Sequence, residues 1–444
     1  MVTELRHLLE ESVQHPPAEP HHTGAILRRA RTRRRRHRLV AAGSALAVVA
    51  VAGIGYGVVR ELTGGTGADK VAHTEPVGPV VHPAAVPVVQ DQDVRVFASH
   101  VNLNVDDPFS GNGRSGNGRL YEQVTSDGRV LVSQATRRDP DDMMTEYQRF
   151  GLQDPVTGEL RWLPAPPDAR YADDHAPSGP GVVAVHGDTV VWLDPERAPV
   201  PIDVYDLGTR TWSHLSVDVT ALNGGAGGGE TYLPGVAVSG DRLYFVTETL
   251  SGPSDRGPLW SMPLDGSGPP TKVTDVGAWG IDGNTLVWTD TSSAPASRVT
   301  VRDLQTGEEH SFDPQSGDRC NQLSLSVARG VIGLGEYCGT KHGIRDDRMH
   351  VVTTDGRPLV TIQGDGLEAG GVGRGFVTAT SYGYHGTPPG TYVYDLDAAR
   401  LVRIADRAGN VGPNTAAGGR TLTWSVAVST SDIKLFAGRW EGPR

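Results

Sequence analysis

Two kinds of β-hairpin alternate along most of the chain, and this repeat constrains the fold more than any other feature of the sequence. The first kind is a pair of apolar strands joined by a tight turn, as in GVVAVHGDTVVWLD from residue 181 and GVAVSGDRLYFVTE from residue 235. Its turns contain Gly and Asp, which tolerate the positive φ that tight hairpin turns require. The pairs are Gly187-Asp188, Gly240-Asp241 and Asp282-Gly283, with a further Asp355-Gly356 between units.

The second kind of hairpin follows most copies of the first and has an aspartate at its turn. Its best copies are LQDPVTGELRWL, VYDLGTRTWSHL and VRDLQTGEEHSF, which begin at positions 152, 204 and 301. In these copies Asp154, Asp206 and Asp303 each lie three residues before a threonine. At that spacing the carboxylate can accept hydrogen bonds from the N–H groups of the turn. Two hairpins per repeat predict a four-stranded antiparallel sheet.

The spacing of the repeats predicts an all-β propeller. Turn aspartates of the second hairpins lie at positions 154, 206, 265, 303, 355 and 395, and their average separation is close to the ~40 to 50 residues of a propeller blade. First hairpins number seven, including QVTSDGRVLVSQ around Gly128. The sequence therefore predicts seven four-stranded blades, with six or eight as alternatives. The 57 glycines and 31 prolines exclude a helical bundle.

The last repeat is one strand short at the C-terminal end of the chain. It contains AAGGRTLTWSVAV and DIKLFAGRW, after which the sequence stops. We expect the segment DVRVFASHV, from Asp93, to supply the missing strand and close the ring. Closure would remove the exposed strand edges that an open array presents.

An uncharged run of 21 residues, from Leu39 to Val59, predicts one transmembrane helix. At 1.5 Å per residue it is long enough to cross a hydrocarbon core of about 30 Å. Eight arginines lie between Arg28 and Arg38, directly before the run. Basic residues on this flank predict a cytoplasmic N-terminus and an extracytoplasmic C-terminal domain at the cell membrane. The alternatives are a cleaved secretory signal, a twin-arginine export signal and a nucleic-acid-binding arm; the length of the run favours an anchor that contacts lipid and no nucleic acid.

These features divide the chain into four segments. Residues 1–38 are a cytoplasmic tail, and its first part has apolar residues at helical spacing. That short amphipathic helix would lie on the membrane or bind a cytoplasmic protein. Residues 39–59 cross the bilayer, residues 60–90 form a Pro- and Gly-rich linker, and residues 91–444 form the propeller.

The two cysteines of the chain, Cys320 and Cys338, lie at equal distances from the turn Arg329-Gly330. We therefore expect them to face each other across paired strands. In an oxidising compartment this arrangement predicts a disulfide, and two buried free thiols are the alternative. Two cysteines are too few for a zinc ribbon or a cysteine-ligated iron–sulfur cluster.

No motif in the sequence predicts a catalytic residue, a cofactor site or a metal site. The histidines form no HxH or HExxH pair, and no serine lies in a GxSxG turn. GNGRSGNGR, from Gly111, lacks the helix that follows a phosphate-binding loop. The acidic groups at Asp106-Asp107 and at Asp139, Asp141 and Asp142 lack the oxygen spacing of a calcium loop. Core packing between blades accounts for Trp192, Trp288 and Trp424, which recur at one strand position.

The segment LYFVTE…LWSMPLDGSGPPTKVTD resembles the TolB-like and WD40-like repeats of bacterial propellers. The order of an Arg-rich tail, one membrane helix and a propeller resembles actinobacterial membrane proteins that are often paired with extracytoplasmic-function sigma factors, although the 38-residue tail is short for a complete anti-sigma domain. The resemblance implies a non-enzymatic binding or sensor module for an extracytoplasmic protein or glycan. The alternative is an extracellular lyase or hydrolase with its site at the central channel.

Overall fold

The computed structural model describes most of the chain from residue 76 onward. Among the described residues no helix is both long and apolar enough to cross a membrane. The predicted span, residues 39–59, and the predicted tail, residues 1–38, lie outside the described part, so both stay predictions. The described residues are 76, 78–83, 93–102, 119–125, 127–138, 145–164, 182–193, 199–222, 231–249, 256–290, 298–316, 319–384, 386–409, 414–415, 419–429 and 432–442.

Twenty-nine strands and one short helix make up the described fold, in which seven four-stranded blades follow one another. Two strands precede the first complete blade, β1 (Val80–Val81) and β2 (Val94–Asn102). Blade 1 comprises β3 (Arg119–Val124), β4 (Val130–Arg138), β5 (Thr145–Gln153) and β6 (Leu160–Trp162). Blade 2 comprises β7 (Val182–His186), β8 (Thr189–Leu193), β9 (Val200–Asp206) and β10 (Thr211–Val217), and α1 (Val219–Leu222) follows it. Blade 3 comprises β11 (Thr231–Ser239), β12 (Arg242–Thr249), β13 (Gly257–Pro263) and β14 (Thr271–Val276).

Blades 4 to 7 repeat the same four-stranded plan. Blade 4 comprises β15 (Trp279–Asp282), β16 (Thr285–Thr289), β17 (Val299–Asp303) and β18 (Glu309–Phe312), and blade 5 comprises β19 (Asn321–Ala328), β20 (Val331–Lys341), β21 (Ile344–Thr353) and β22 (Pro358–Gly364). Blade 6 comprises β23 (Leu367–Gly373), β24 (Phe376–Ser381), β25 (Gly390–Asp395) and β26 (Arg400–Ala405). Blade 7 comprises β27 (Asn414–Thr415), β28 (Thr421–Ala427) and β29 (Ile433–Trp440), together with β2. The structure therefore confirms an all-β propeller and selects seven blades over six or eight.

Strand β2 completes blade 7, as the sequence predicts. It pairs antiparallel with β29, from Val94 opposite Trp440 to Asn102 opposite Ile433. The sheet order is β2-β29-β28-β27, so the earliest long strand of the domain is the outermost strand of the last blade. This pairing joins the two ends of the domain and leaves no gap in the ring.

Apolar clusters hold the blades together, one cluster at each of the seven contacts between neighbouring blades in the described part of the chain. The cluster between blades 7 and 1 contains Leu435 from β29 together with Tyr121 and Val132 from blade 1. Trp192, Trp288 and Trp424 are buried on the second strands of blades 2, 4 and 7, which confirms their predicted packing role. Burial of apolar surface between blades is thus the main stabilising contribution.

Most predicted turns lie where the sequence places them. Asp154, Asp206 and Asp303 accept hydrogen bonds from the backbone N–H groups of their threonines, at N···O distances of 2.8, 2.6 and 2.7 Å. One prediction needs a correction: Asp282 pairs with Thr285 as the last residue of β15, so the turn is Gly283-Asn284. Gly283 has a φ of 53°, a conformation that glycine adopts without steric cost.

The predicted linker, residues 60–90, contains a structured segment. Strand β1 pairs in parallel with β22 and adds a fifth strand to the outer edge of blade 5. The Thr361 N–H donates to the Pro79 carbonyl at 2.8 Å. The sequence predicts a linker without regular structure here, because two valines among prolines show no periodicity. The segment forms a strand because the open edge of β22 provides hydrogen-bond partners for its backbone.

Candidate functional site

The two ends of the propeller differ in the length of their connections. The turns between strands 1 and 2 of each blade, and between strands 3 and 4 of blades 1 to 6, lie at one end, which we call the turn end; the longest of them runs from residue 264 to 270. The remaining connections belong to the other end, which we call the long-loop end. Some of them have two residues, as at 342–343 and 365–366, whereas residues 103–118, 163–181 and 218–230 separate successive strands by 13 residues or more. Loops on a rigid frame are the usual location of binding residues. The long-loop end is therefore the candidate functional surface.

Glu336 is the centre of a buried polar network at the long-loop end of blade 5. It lies on β20, and its carboxylate accepts hydrogen bonds from Ser316 Oγ and from Gln322 Nε2, the latter at 2.6 Å. Burial raises the pKa of Glu336 to about 7, although these hydrogen bonds oppose the shift. Ser316 belongs to the connection from blade 4, so the network fixes that connection against blade 5.

The same sheet face contains an ion pair with its guanidinium and carboxylate both buried. Arg348 donates from Nε and Nη2 to the two oxygens of Asp346, at 2.8 and 2.5 Å. Gln363 Nε2 donates to Asp346 Oδ1 at 2.7 Å. Two residues after Arg348 on β21, His350 Nε2 donates to the Pro314 carbonyl at 3.1 Å, and burial lowers the pKa of His350 to about 4. The Arg348 guanidinium and the Asp346 carboxylate thus neutralise each other within the protein, as buried charges in a structural network require.

The opposite face of β21 points towards blade 6 and has a second ion pair. Arg345 Nη2 lies 2.9 Å from Asp347 Oδ1, and its guanidinium carbon lies 4.5 Å from the centre of the Tyr337 ring. Asp347 also accepts a hydrogen bond from the Gly366 N–H at 2.9 Å. Burial raises the pKa of Asp347 despite these donors. This pair ties the connection between blades 5 and 6 to the sheet.

Glu368 is a fourth buried acid, on the innermost strand of blade 6. Its Oε2 accepts a hydrogen bond from Tyr382 Oη at 2.6 Å. Burial raises the pKa of Glu368 to about 7, and burial together with the neighbouring Glu368 raises the pKa of Tyr382 well above its usual value. The sequence analysis does not identify Glu336 and Glu368 because neither belongs to a motif. The one sequence clue to them is that each interrupts a run of apolar residues and glycines, VIGLGEY in β20 and LEAGGVG in β23.

Cys320 and Cys338 form a disulfide in the structure, with an S–S distance of 2.05 Å. Their strands pair as the sequence predicts, since Asn321 lies opposite Tyr337 and the turn consists of Arg329 and Gly330, both at positive φ. Glu336 and the two sulfurs lie within 4.8 Å of one another, which is the spacing of metal ligands. A metal would need the thiolate form of these sulfurs, which the disulfide removes.

We expect Cys320 and Cys338 to resist alkylation in denaturant until a reductant is added. Denaturant exposes both side chains, which are buried in the fold, so the experiment separates a disulfide from two buried thiols. Mass spectrometry of the unreduced protein should find the two peptides joined. Removing the bridge by Cys320→Ser with Cys338→Ser should cost about 3 kcal/mol for a loop of this length. Two thiols alkylated without reductant would contradict the disulfide.

Among the described residues, the histidines of the sequence do not converge on one site. His214 contacts Asp203 at the outer part of blade 2, because the register of β9 and β10 places the two residues opposite each other. His310 bonds to the Thr354 carbonyl at the turn end of blades 4 and 5. The acidic groups at Asp106-Asp107 and at Asp139, Asp141 and Asp142 lie outside the described residues.

Comparisons with known proteins identify no family for this chain. No family model matches it, and no curated protein matches it. Solved structures do resemble it. One is a prolyl endopeptidase, with 17% identity and a TM-score of 0.44 over 72% of this chain and 46% of that chain. The chain therefore spans about half the length of that peptidase.

Two further solved structures resemble the chain at still lower TM-scores. The β-propeller domain of the Trilobed protease from Pyrococcus furiosus has 12% identity and a TM-score of 0.38, over 59% of this chain and 80% of that chain. TolB from Acinetobacter baumannii has 15% identity and a TM-score of 0.33, over 58% of this chain and 67% of that chain. Structural similarity this distant does not indicate an activity, so a function for this chain depends on its own residues.

Proposed function

We propose that the chain is a membrane-anchored binding module whose seven-bladed propeller presents its long-loop end to a ligand outside the cytoplasm. The observation that carries the proposal is a difference between the two ends: every turn at one end has seven residues or fewer, several with a stabilising aspartate, whereas three connections at the other end have 13 or more. A rigid ring with variable loops on one end suits recognition of a protein or a glycan. No cofactor is needed for this function.

Two sequence features support the location of the module. Residues 39–59 have the length and composition of a membrane span, and the arginines before them have the distribution of a cytoplasmic flank. A disulfide between Cys320 and Cys338 agrees with an oxidising compartment. The proposed arrangement is that of a single-pass cell-membrane protein of the actinobacterial type.

The proposal includes signalling through the N-terminal tail. Leu5, Leu8, Leu9 and Val13 form one apolar stripe at helical spacing. Burial of this stripe against a cytoplasmic protein, such as a sigma factor, would contribute several kcal/mol at about 25 cal/mol per Å² before ordering costs. Ligand binding outside and protein binding inside would then belong to one chain.

The runner-up, an enzyme with its site at the central channel, finds less support. The acids with strongly raised pKa values, Glu336 and Glu368, each accept a hydrogen bond within the fold: Glu336 from Ser316 of the connection from blade 4, and Glu368 from Tyr382. Perturbed pKa values occur in structural networks as well as in active sites. We therefore propose binding without chemistry.

Reporter fusions test the proposed orientation. A reporter that is active only outside the cytoplasm should work when fused after Arg444 and fail when fused before Met1, because the arginine flank retains the N-terminus inside. A control variant with Arg33, Arg34, Arg35 and Arg36 changed to Ala should weaken this preference. Full-length protein released into the medium would contradict an anchor and support a cleaved signal.

A further inference from the structure

Two arginines converge on one acceptor at the long-loop end of blade 1. Arg119, Gln134 and Arg149 lie side by side on β3, β4 and β5 in one cross-strand row. Arg149 Nη2 donates to Gln134 Oε1 at 3.0 Å, and Arg119 Nε approaches the same oxygen at 3.4 Å. Two guanidinium groups therefore share a single amide oxygen.

An indole ring holds both guanidinium groups in place. The guanidinium carbon of Arg149 lies 3.8 Å from the centre of the Trp162 ring, and that of Arg119 lies 5.8 Å from it. Cation–π contacts of this kind orient a guanidinium without neutralising its charge. The positions of the two side chains are thus set before any ligand arrives.

The backbone of Arg119 is also fixed. Asn102, at the end of the outermost strand of blade 7, donates from Nδ2 to the Arg119 carbonyl at 2.7 Å and accepts from the Arg119 N–H at 2.8 Å. The Asn102 side chain is buried. This clamp joins the two ends of the connection formed by residues 103–118 and places Arg119 at its exit.

The pair has no counter-charge among the residues that the structure describes. Neither arginine forms an ion pair with a described carboxylate, whereas Arg345 and Arg348 at the same end of blade 5 each pair with an aspartate. The pKa of Arg119 is lowered, chiefly by burial and also by the nearby charge of Arg149. Each guanidinium has five N–H donors, and one shared oxygen satisfies few of them.

We propose that Arg119 and Arg149 bind a phosphate or sulfate group on the ligand of the propeller. A tetrahedral phosphate or sulfate group has three free oxygens and can accept hydrogen bonds from both guanidinium groups at once. A carboxylate has two oxygens, which match the donors of one guanidinium group. Arg149 is exposed and Arg119 half-buried, so solvent reaches the pair. The inference deepens the proposed function, on which it rests for its biological role, by naming the ligand chemistry.

Calorimetric titration of the full-length protein with inorganic phosphate and with sulfate tests the site. Chloride is used to keep the ionic strength the same in all titrations. Arg149→Gln and Arg119→Gln should each weaken binding by at least about tenfold, the cost of losing a charge-assisted hydrogen bond. Arg161→Gln is the matched control: Arg161 precedes Trp162 on β6, and alternation along the strand turns it to the opposite face. Its affinity should stay within twofold of the parent.

The two anions distinguish the sources of the ligand group. Tighter binding of phosphate indicates a phosphorylated ligand, and tighter binding of sulfate indicates a sulfated one. The inference is overturned if neither anion binds, if acetate binds equally well, or if Arg149→Gln keeps the parent affinity. Such a failure leaves the reporter result unchanged, so it is distinguishable from failure of the proposed function.

Discussion

Replacing Val94 by aspartate should lower the unfolding temperature of the propeller by about 10 °C. Val94 is the first residue of β2, the strand that closes the ring, and it is 3% exposed in the cluster that also contains Trp424 and Trp440. An aspartate there would place an unpaired carboxylate in an apolar contact between blades 6 and 7, which costs several kcal/mol. Thermal unfolding followed by circular dichroism measures the effect.

Val101 supplies the matched control, because it lies on the same strand and is 40% exposed. Val101→Asp makes the same chemical change but leaves the carboxylate in water, so its unfolding temperature should stay within a few degrees of the parent. Equal behaviour of the two variants would contradict the placement of β2 in blade 7.

Glu336→Gln should make the propeller more stable than the parent at pH 8 and leave its stability almost unchanged at pH 5. The folded-state pKa of Glu336 is about 7, above its ordinary value of 4.5. A raised carboxyl pKa means that the folded state retains a proton which the unfolded state has lost, so stability falls as pH rises from about 4.5 to 7. A shift of this size corresponds to about 3 kcal/mol as an upper figure.

Glutamine keeps the acceptor oxygen for Ser316 and Gln322 and has no charge to desolvate, which explains the expected gain at high pH. Glu368→Gln should behave in the same way, since its oxygen can still accept from Tyr382. His350 acts in the opposite direction: its pKa is lowered to about 4, so its contribution is lost as pH falls through 6.5 towards 4. The quantity to measure is therefore the difference between variant and parent at each pH.

Urea unfolding at pH 5, 6, 7 and 8 provides that difference. Asp303→Asn is the control, because Asp303 is exposed and hydrogen bonds from Thr306 and Gln305 lower its pKa further below this range. Its loss should change stability by a similar amount at all four pH values. A Glu336→Gln variant that tracks the parent from pH 5 to 8 would show that the carboxyl titrates normally.

Much of the fold follows from local sequence. The strand pairs and their turns were predictable because glycine and aspartate occupy positions where positive φ or a side-chain acceptor is required, as at Gly187-Asp188 and Asp206. The closing strand was predictable from arithmetic: a blade with three strands at one end of the chain needs a fourth from the other. The facing of Cys320 and Cys338 follows from the symmetry of their hairpin.

The polar sites could not be predicted in the same way, because they depend on contacts between distant segments. The Asn102 clamp on Arg119 joins two blades, and the Ser316 contact of Glu336 joins a connection to a strand. A register shift between Tyr121 and Gln123 decides which side chain lies opposite Gln134. Such bulges have no reliable sequence signature, so the Arg119–Arg149 row becomes visible only in three dimensions.

Protease treatment of intact spheroplasts tests the central claim, a propeller held outside the membrane by residues 39–59, more directly than any other measurement. Because the cytoplasmic tail and the span are protected, we expect the propeller to be digested in part while a small fragment containing the N-terminus stays with the membrane. An epitope before Met1 should survive until detergent is added, and an epitope after Arg444 should be removed at once. Survival of the C-terminal epitope in intact spheroplasts, with its loss only after lysis, would place the propeller inside and contradict the account.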